Sequence, residues 1–486
     1  MIWFLTFVAF TASARAQPAS PALPAPDVPP PESPPAAPAD PAATAAPAGS
    51  APPSEARLLE AKPAEAKPPA KAPAVTSKWD TTLYGFVEGD TIYDSTQGLN
   101  DNAGNSAVPR KGSYAGNHGQ TTMGARNSRI GYRISAPAVD DIKASAQLEM
   151  DFVGNQPPGI SESAFFASAT FRVRHLNVKL ETPIVDVLIG QSWQLFGWQT
   201  LYQPATVQIQ GIPGEVFSRS PQIRLSKKLA CDPVSLELAV AAARPPQRAS
   251  ATPDGQAGIK LNLDSVKAFH TAGSTGTALD SASIGVSVVG RRFAVDEFTA
   301  APHSQVVRNG YGLSIDALIP VVPATKEHHD NALTLLGSFV TGAGTADLYS
   351  GLSGGVSQPA LPNPGMTTPA PTYTPNIDNG LALFSADGTL HPMQWTSYLV
   401  GAQYYLPPSG KVFLAANYSH TSSGNAHAFG AATKVFDQQD WADGNLFVDL
   451  TPAVRLGLEL AWINQTYVNG TEGTNYRAQF SGWLIF

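Results

Sequence analysis

The last twelve residues, Asn475 to Phe486, constrain this chain more than any other stretch. Counted back in steps of two, Phe486, Leu484, Gly482, Phe480, Ala478 and Tyr476 form one apolar series, while Ser481, Gln479, Arg477 and Asn475 form an intervening polar one. A period of two puts the two series on opposite faces of a strand. Over about ten residues, that is the length and pattern of a strand crossing a bilayer with lipid on one face and a wet interior on the other. An edge strand of a soluble sandwich could carry the same pattern, so the rest of the chain has to decide.

A chain of 486 residues can form two or three soluble domains or one large closed barrel. Only 14% of its residues are charged, well below the roughly one quarter usual in soluble domains, although 43% are hydrophobic. After the first residues no run of 18 apolar residues occurs, which speaks against membrane helices but not against barrel strands, whose apolar residues are diluted at every second position. Met1 to Thr11 is an apolar run, and Ala14-Arg15-Ala16 offers a small-x-small cleavage site, so residues 1–16 read as a secretory signal peptide, although one without a basic start. The single cysteine, Cys231, cannot form a disulfide within one chain. Residues 17–78 hold 18 of the 43 prolines, mostly among alanines, and read as an extended spacer that could reach about 190 Å. Two readings of it stay open: a periplasmic arm that touches the cell wall, and a passive linker.

From Trp79 onward the chain breaks into short alternating segments. Ile142 to Phe152 is the cleanest, with Ile142, Ala144, Ala146, Leu148, Met150 and Phe152 opposed to Lys143, Ser145, Gln147, Glu149 and Asp151. Sixteen such segments are expected, beginning near Thr81, Thr121, Ile142, Ala164, Val185, Gln222, Val234, Gly255, Ser281, Asn309, Ala332, Met393, Gly410, Asp440, Ala453 and Gly473. Connections after even-numbered strands are mostly tight, such as Glu181-Thr182-Pro183 and Cys231-Asp232-Pro233. Those after odd-numbered strands include the longest, Thr96–Gln120, Gln194–Pro221 and Gly342–Pro392. Short turns on one rim and long loops on the other characterise bacterial outer-membrane barrels. Ser265–Asp280 and Ile319–Asp330 fit this rule poorly, since both are long on the short side. The expected fold is therefore all-β: a transmembrane antiparallel barrel of about sixteen strands over residues 79–486, wide enough for a water-filled lumen. Trp395, Tyr398, Tyr404, Tyr405, Trp462 and Tyr467 read as interfacial girdles.

Several stretches resemble the DcaP-like family of trimeric outer-membrane porins. They are Leu83-Tyr-Gly-Phe-Val-Glu-Gly-Asp90, Asn127-Ser-Arg-Ile-Gly-Tyr132, Phe171-Arg-Val-Arg-His175, Ile189-Gly-Gln-Ser-Trp193, Ser220-Pro-Gln-Ile-Arg224 and Leu450-Thr-Pro-Ala-Val454, and the resemblance covers roughly Lys78 to Phe486. The aromatic terminus Phe486 likewise resembles the sorting signal of outer-membrane barrels. The resemblance implies a homotrimer in the outer-membrane lipid that takes up small hydrophilic solutes, often anions such as dicarboxylates. It also implies that the loop after the fifth strand folds inward and narrows the channel, with Glu215 and Arg219 near the constriction; the alternative is an extracellular loop packed on a neighbouring subunit. Members of that family carry a coiled-coil segment where this chain has its Pro/Ala-rich one.

Parity selects lumen residues without the resemblance. If the apolar series faces lipid, the interior receives Arg129, Arg133, Lys143, Arg172, Arg174, Arg224, Lys260, Arg291, Arg455 and Arg477, together with Glu88, Asp90, Glu149, Asp151, Glu237, Asp316, Asp449 and Glu459. Ten cations against eight anions is close to balance, so selectivity depends on where the charges cluster. Arg129, Arg133, Arg172, Arg174 and Arg224 come from the second, fourth and sixth strands, interleaved with Glu149 and Asp151 of the third. They form either a basic ladder that selects solutes or a set of cations paired with neighbouring carboxylates. No nucleotide loop, paired metal-ligand spacing or nucleophile motif occurs, so no cofactor, metal or enzymatic activity is expected, and a net charge of −7 without basic runs argues against nucleic acid. The main alternative to a porin is a structural barrel that anchors the cell wall through its N-terminal arm.

Overall fold

The computed structural model describes residues 79–103, 107–156, 161–246, 250–297, 303–325, 328–350, 352, 381–384, 389–429 and 436–486. The expected signal peptide, the Pro/Ala-rich segment and most of the Gly342–Pro392 connection lie outside these residues.

Sixteen wall strands close into an antiparallel barrel. In chain order they are β1 (Asp80–Asp94), β2 in two segments (Gln120–Gly124 and Arg129–Ser135), β3 (Lys143–Asp151), β4 (Arg172–Glu181), β5 (Asp186–Trp193), β6 (Arg219–Cys231), β7 (Val234–Ala243) and β8 (Asp254–Ala272). The second half comprises β9 (Gly276–Asp296), β10 (Gln305–Val322), β11 (Leu333–Ala343), β12 (Gln394–Tyr405), β13 (Val412–Ser423), β14 (Phe436–Thr451), β15 (Val454–Tyr467) and β16 (Glu472–Ile485). Both segments of β2 pair with β1, so they are one wall strand interrupted at Ala125–Ser128. Closure is made by β1 against β16, in the register Phe86↔Ile485 to Asp94↔Arg477. A small ribbon of Ala382–Phe384 and Leu390–Pro392 lies outside the wall.

Alternation sorts the side chains as lipid requires. Val87, Ile189, Val240, Ile259, Leu460 and Leu484 are among the apolar residues exposed on the outer surface. On the opposite parity of β16, Asn475, Arg477, Gln479 and Ser481 are buried. Every wall neighbour accepts or donates along an antiparallel ladder, which leaves the hydrocarbon no open sheet edge. Among the described residues no helix is long and apolar enough to cross a membrane.

The structure corrects the expected strands in three places. The fourth begins at Arg172, not near Ala164, because Ser161 accepts a hydrogen bond from Ala164 N and caps a short helix, Glu162–Ala167. Ser265–Asp280 is not a long turn: β8 runs to Ala272, β9 starts at Gly276, and only residues 273–275 turn. Trp395, Tyr405 and Tyr467 do not belong to a lipid girdle; they are buried in clusters inside the barrel, whereas Tyr398 and Tyr404 do face outward.

The interior is largely filled with protein. An aromatic row of Tyr405, Phe413, Phe447 and Trp483 lines the inner wall of β12 to β16 near the rim that carries the C-terminus, with ring centroids 4.7, 4.5 and 6.2 Å apart in turn. Ala205, Val207 and Ile209 of the connection between β5 and β6 pack against it. Cavities remain beside the wall formed by β2 to β5.

Candidate functional site

The connection between β5 and β6, residues 194–218, lies inside the barrel and is fastened to the far wall. Val207 N donates to Asn445 Oδ1 and Gln208 N to Glu459 Oε2, both at 2.9 Å. Asn417 Nδ2 donates to Ala205 O at 2.9 Å, and Ser397 Oγ to Gly214 O at 2.8 Å. Near its start, Trp198 lies on a patch of β8 and β9 cleared by glycine. A Cβ at Gly258 would sit 2.8 Å, and one at Gly285 2.7 Å, from the indole. Phe217 N donates to Leu348 O and Ser350 N to Glu215 O, so part of the connection after β11 also folds inward and pairs with this loop.

Facing the loop, β2, β3 and β4 carry a dense ionic cluster. Glu149 receives Arg174 Nε at 2.7 Å and the Tyr84 hydroxyl at 3.0 Å, with Arg129 at 3.6 Å and His175 at 3.8 Å. Asp151 receives Arg172 Nη2 at 2.6 Å and Arg174 Nη1 at 3.1 Å. Arg174 thus bridges both carboxylates, a charge-assisted arrangement that fixes all three side chains. A bulge makes this possible: Glu149 stands opposite His175 and Met150 opposite Val173, so Arg174 is the extra residue and His175 also turns inward. That break in alternation at Arg174-His175, two adjacent polar residues, is the sequence signal of the bulge: His175 shares the inward parity of Asn177 and Lys179, and the extra residue lets Arg174 face inward beside it.

Between the cluster and the loop is a cavity of about 360 Å³, lined by Arg129, Gln147, Glu149, Arg174 and His175 on one side and by Thr200, Gln203 and Phe217 of the loop on the other. A second cavity of about 520 Å³ is lined by Arg133, Lys143, Lys179 and Glu181 among others, and by Ala136 and Ala138 of the turn before β3. Gln147 borders both.

The remaining candidate residues are dispersed. Arg133 is exposed, 5.4 Å from the Tyr84 ring centroid, and borders the second cavity. Arg224 is bound into the wall, donating to Trp193 O and to Gln222 Oε1. Asp90 is buried and accepts from Asn127, Gln479 and Ser481, and buried Glu88 donates its backbone N–H to Ser128 Oγ. Arg219 opens β6, with its guanidinium 4.6 Å from the centroid of Trp193. Glu215 is buried within the loop, where Oε2 accepts from Ile212 N at 3.1 Å and burial pushes the carboxyl well above its usual range. Neither Glu215 nor Arg219 is among the residues that line the 360 Å³ cavity.

No protein-family model matches the sequence, and no curated protein matches it. The structure is similar to the crystal structure of the outer membrane channel DcaP of Acinetobacter baumannii, with a TM-score of 0.61 at 17% sequence identity over 84% of this chain and 97% of that one. More distant similarities include the anion-selective porin from Comamonas acidovorans (TM-score 0.46, 11% identity, 84% of this chain and 100% of that one) and the trimer form of OmpT from Vibrio cholerae (0.46, 8%, 84% and 99%). With its sixteen closed strands and apolar outer surface, the chain has the fold of a bacterial outer-membrane channel like DcaP.

Proposed function

We propose that this protein is a bacterial outer-membrane porin that lets small hydrophilic solutes diffuse along the wall of β2 to β5 and favours anions of the dicarboxylate kind. One observation carries the charge preference. Arg129, Arg172, Arg174 and Arg219 stand around Glu149 and Asp151, an excess of positive charge that Asp280 across the cavity offsets only in part. In a low-dielectric enclosure such an excess lowers the energy of a passing anion and raises that of a cation. Arg133, Lys143 and Lys179 against Glu181 continue the same sign into the second cavity. A homotrimer, a cleaved leader of residues 1–16 and a periplasmic extension of residues 17–78 complete the reading.

Planar-bilayer recording of the purified, folded protein tests it. Discrete conductance steps are expected, with a reversal potential of the anion-selective sign in a salt gradient. Absence of conductance would sink the porin reading, and a cation-selective potential would remove the role given to the arginine cluster. Deleting residues 18–77 should leave conductance intact; lost cosedimentation with peptidoglycan would make the extension a cell-wall contact.

A further inference from the structure

The turn between β8 and β9 does not stay at its own rim. Residues 264–281 cross the barrel interior as a hairpin and fasten to strands on the other side. Thr271 N donates to Gln403 Oε1 and Gln403 Nε2 returns a bond to Thr271 O, both at 2.8 Å, while Thr271 Oγ1 lies 2.8 Å from the Tyr405 hydroxyl. Farther round the wall, Arg455 of β15 donates Nη1 to Ser274 O at 2.8 Å and Nη2 to Thr277 Oγ1 at 3.0 Å. Asp449 holds that guanidinium with two bonds, at 2.6 and 2.9 Å. Phe269 is wedged between His329 and Tyr405, with centroids at 4.3 and 4.7 Å. Ala268, His270, Thr271 and Ser274 are each at most 2% exposed. A register shift between Ser281 and Ala282 marks where the hairpin leaves the wall ladder.

The hairpin also meets the loop that enters from the opposite rim. Gly273 N donates to Pro204 O at 3.0 Å, and Thr206 N to Gly273 O at 3.4 Å. Gly273, with φ +61°, makes the tight tip that brings the two backbones together. His270, Gly273, Thr275 and Asp280 line the 360 Å³ cavity opposite Arg129 and Arg174, and His270 Nε2 is held by Asp280 Oδ2 at 2.9 Å.

We infer that this periplasmic hairpin is a second constriction element, which together with the inward loop sets the size limit of the solutes that pass. The inference rests on the porin reading. It assigns Arg455 as a positioning residue that pins the hairpin tip across the lumen, and it makes the passage a slot between the hairpin and the arginine wall, suited to small anions rather than to oligosaccharides.

The test replaces residues 268–279 by Asn-Gly, a two-residue turn that suits a hairpin, and compares this variant with the full chain. Single-channel conductance should rise at least about two-fold, and vesicles carrying the variant should swell in a trisaccharide that excludes the unaltered protein. Arg455→Gln is the milder companion, expected to raise conductance and trisaccharide entry to a smaller extent while the heat-modifiable gel mobility of a folded barrel is kept. If the unaltered protein conducts and both folded variants match it in conductance and size limit, the inference is overturned. If the unaltered protein is silent and the shortened one conducts, the hairpin is an obstruction and the open-pore reading falls instead. Silence from all three, folded, removes both.

Discussion

Arg174 spends its charge on two carboxylates, Glu149 and Asp151, and is 2% exposed. Removing one partner from a buried pair costs about 3–5 kcal/mol, because the other is left desolvated without compensation. Arg174→Ala should therefore lower the urea midpoint of the folded barrel as well as change its selectivity, and an unchanged midpoint would show that water already compensates the pair. Arg129 is a cleaner probe of permeation. It borders the cavity and lies 3.6 Å from Glu149, whereas Arg224 is absorbed by Gln222 and the Trp193 carbonyl. Arg129→Gln should shift the reversal potential toward cations and Arg224→Gln should barely move it; equal shifts would mean that the field is spread over the wall and not focused at the cavity. Glu215 adds a pH dependence. An unfolded glutamate titrates near about 4.3, and the buried carboxyl, with Ile212 N as its donor, titrates well above that. The folded state thus binds this proton more tightly, so the contribution is complete below the unfolded value and is lost as pH rises through the folded one. Thermal stability should decline over that rise, and Glu215→Gln should flatten the decline; equal slopes in both proteins would remove Glu215 as its source.

At the scale of elements, the inward loop depends on a surface shaped to receive it. Trp198 donates Nε1 to Val286 O at 3.2 Å and covers Gly258 and Gly285, where any Cβ would meet its ring. Gly258→Val should push the indole off the wall at a cost of about 1–3 kcal/mol and expose the 194–218 loop to protease; a loop that stays resistant would mean that the contacts of Val207 and Gln208 with the far wall suffice alone. The strands that form this surface were legible from the sequence, because alternation is imposed residue by residue by lipid on one side. Parity also sent Arg129, Arg172, Glu149 and Asp151 to the interior, where they meet. What parity does not encode is how full that interior is. Trp483 lies on the inward series of β16 beside Gln479 and Ser481, yet only the arrival of Phe447 and Val207 makes it core and not lining. The hairpin at residues 264–281 escaped for a related reason. Its only turn signal is the Gly-Ser-Thr-Gly of residues 273–276, and its length at the short rim, which fits an ordinary turn poorly, is explained by contacts with Gln403 and Arg455 that are distant in sequence. His175 shares the inward parity of Asn177 and Lys179, and a one-residue bulge brings Arg174 inside next to it.

The whole molecule is held closed at a single seam, β1 against β16, and the terminal residue is part of it. Gly85 N donates to Phe486 O at 2.8 Å and Phe486 N to Gly85 O at 3.0 Å, so the last peptide unit completes the ladder at the rim. The Phe486 ring itself is about half exposed and faces outward in register with Phe480 and Leu484. Above it the seam is tied by Asp94 and Arg477, which pair at 3.0 Å with both side chains fully buried. These contacts join residues nearly four hundred positions apart and close the ring of strands. Loss of the last residue should accordingly act on closure and leave the cavity beside β2 to β5, on the other flank of β1, as it is. Deleting Phe486 is expected to slow the appearance of the heat-modifiable folded form and reduce its yield, while molecules that do close should show the conductance and reversal potential of the full chain. Normal assembly with altered conductance would reverse that order and place the terminus in the permeation path.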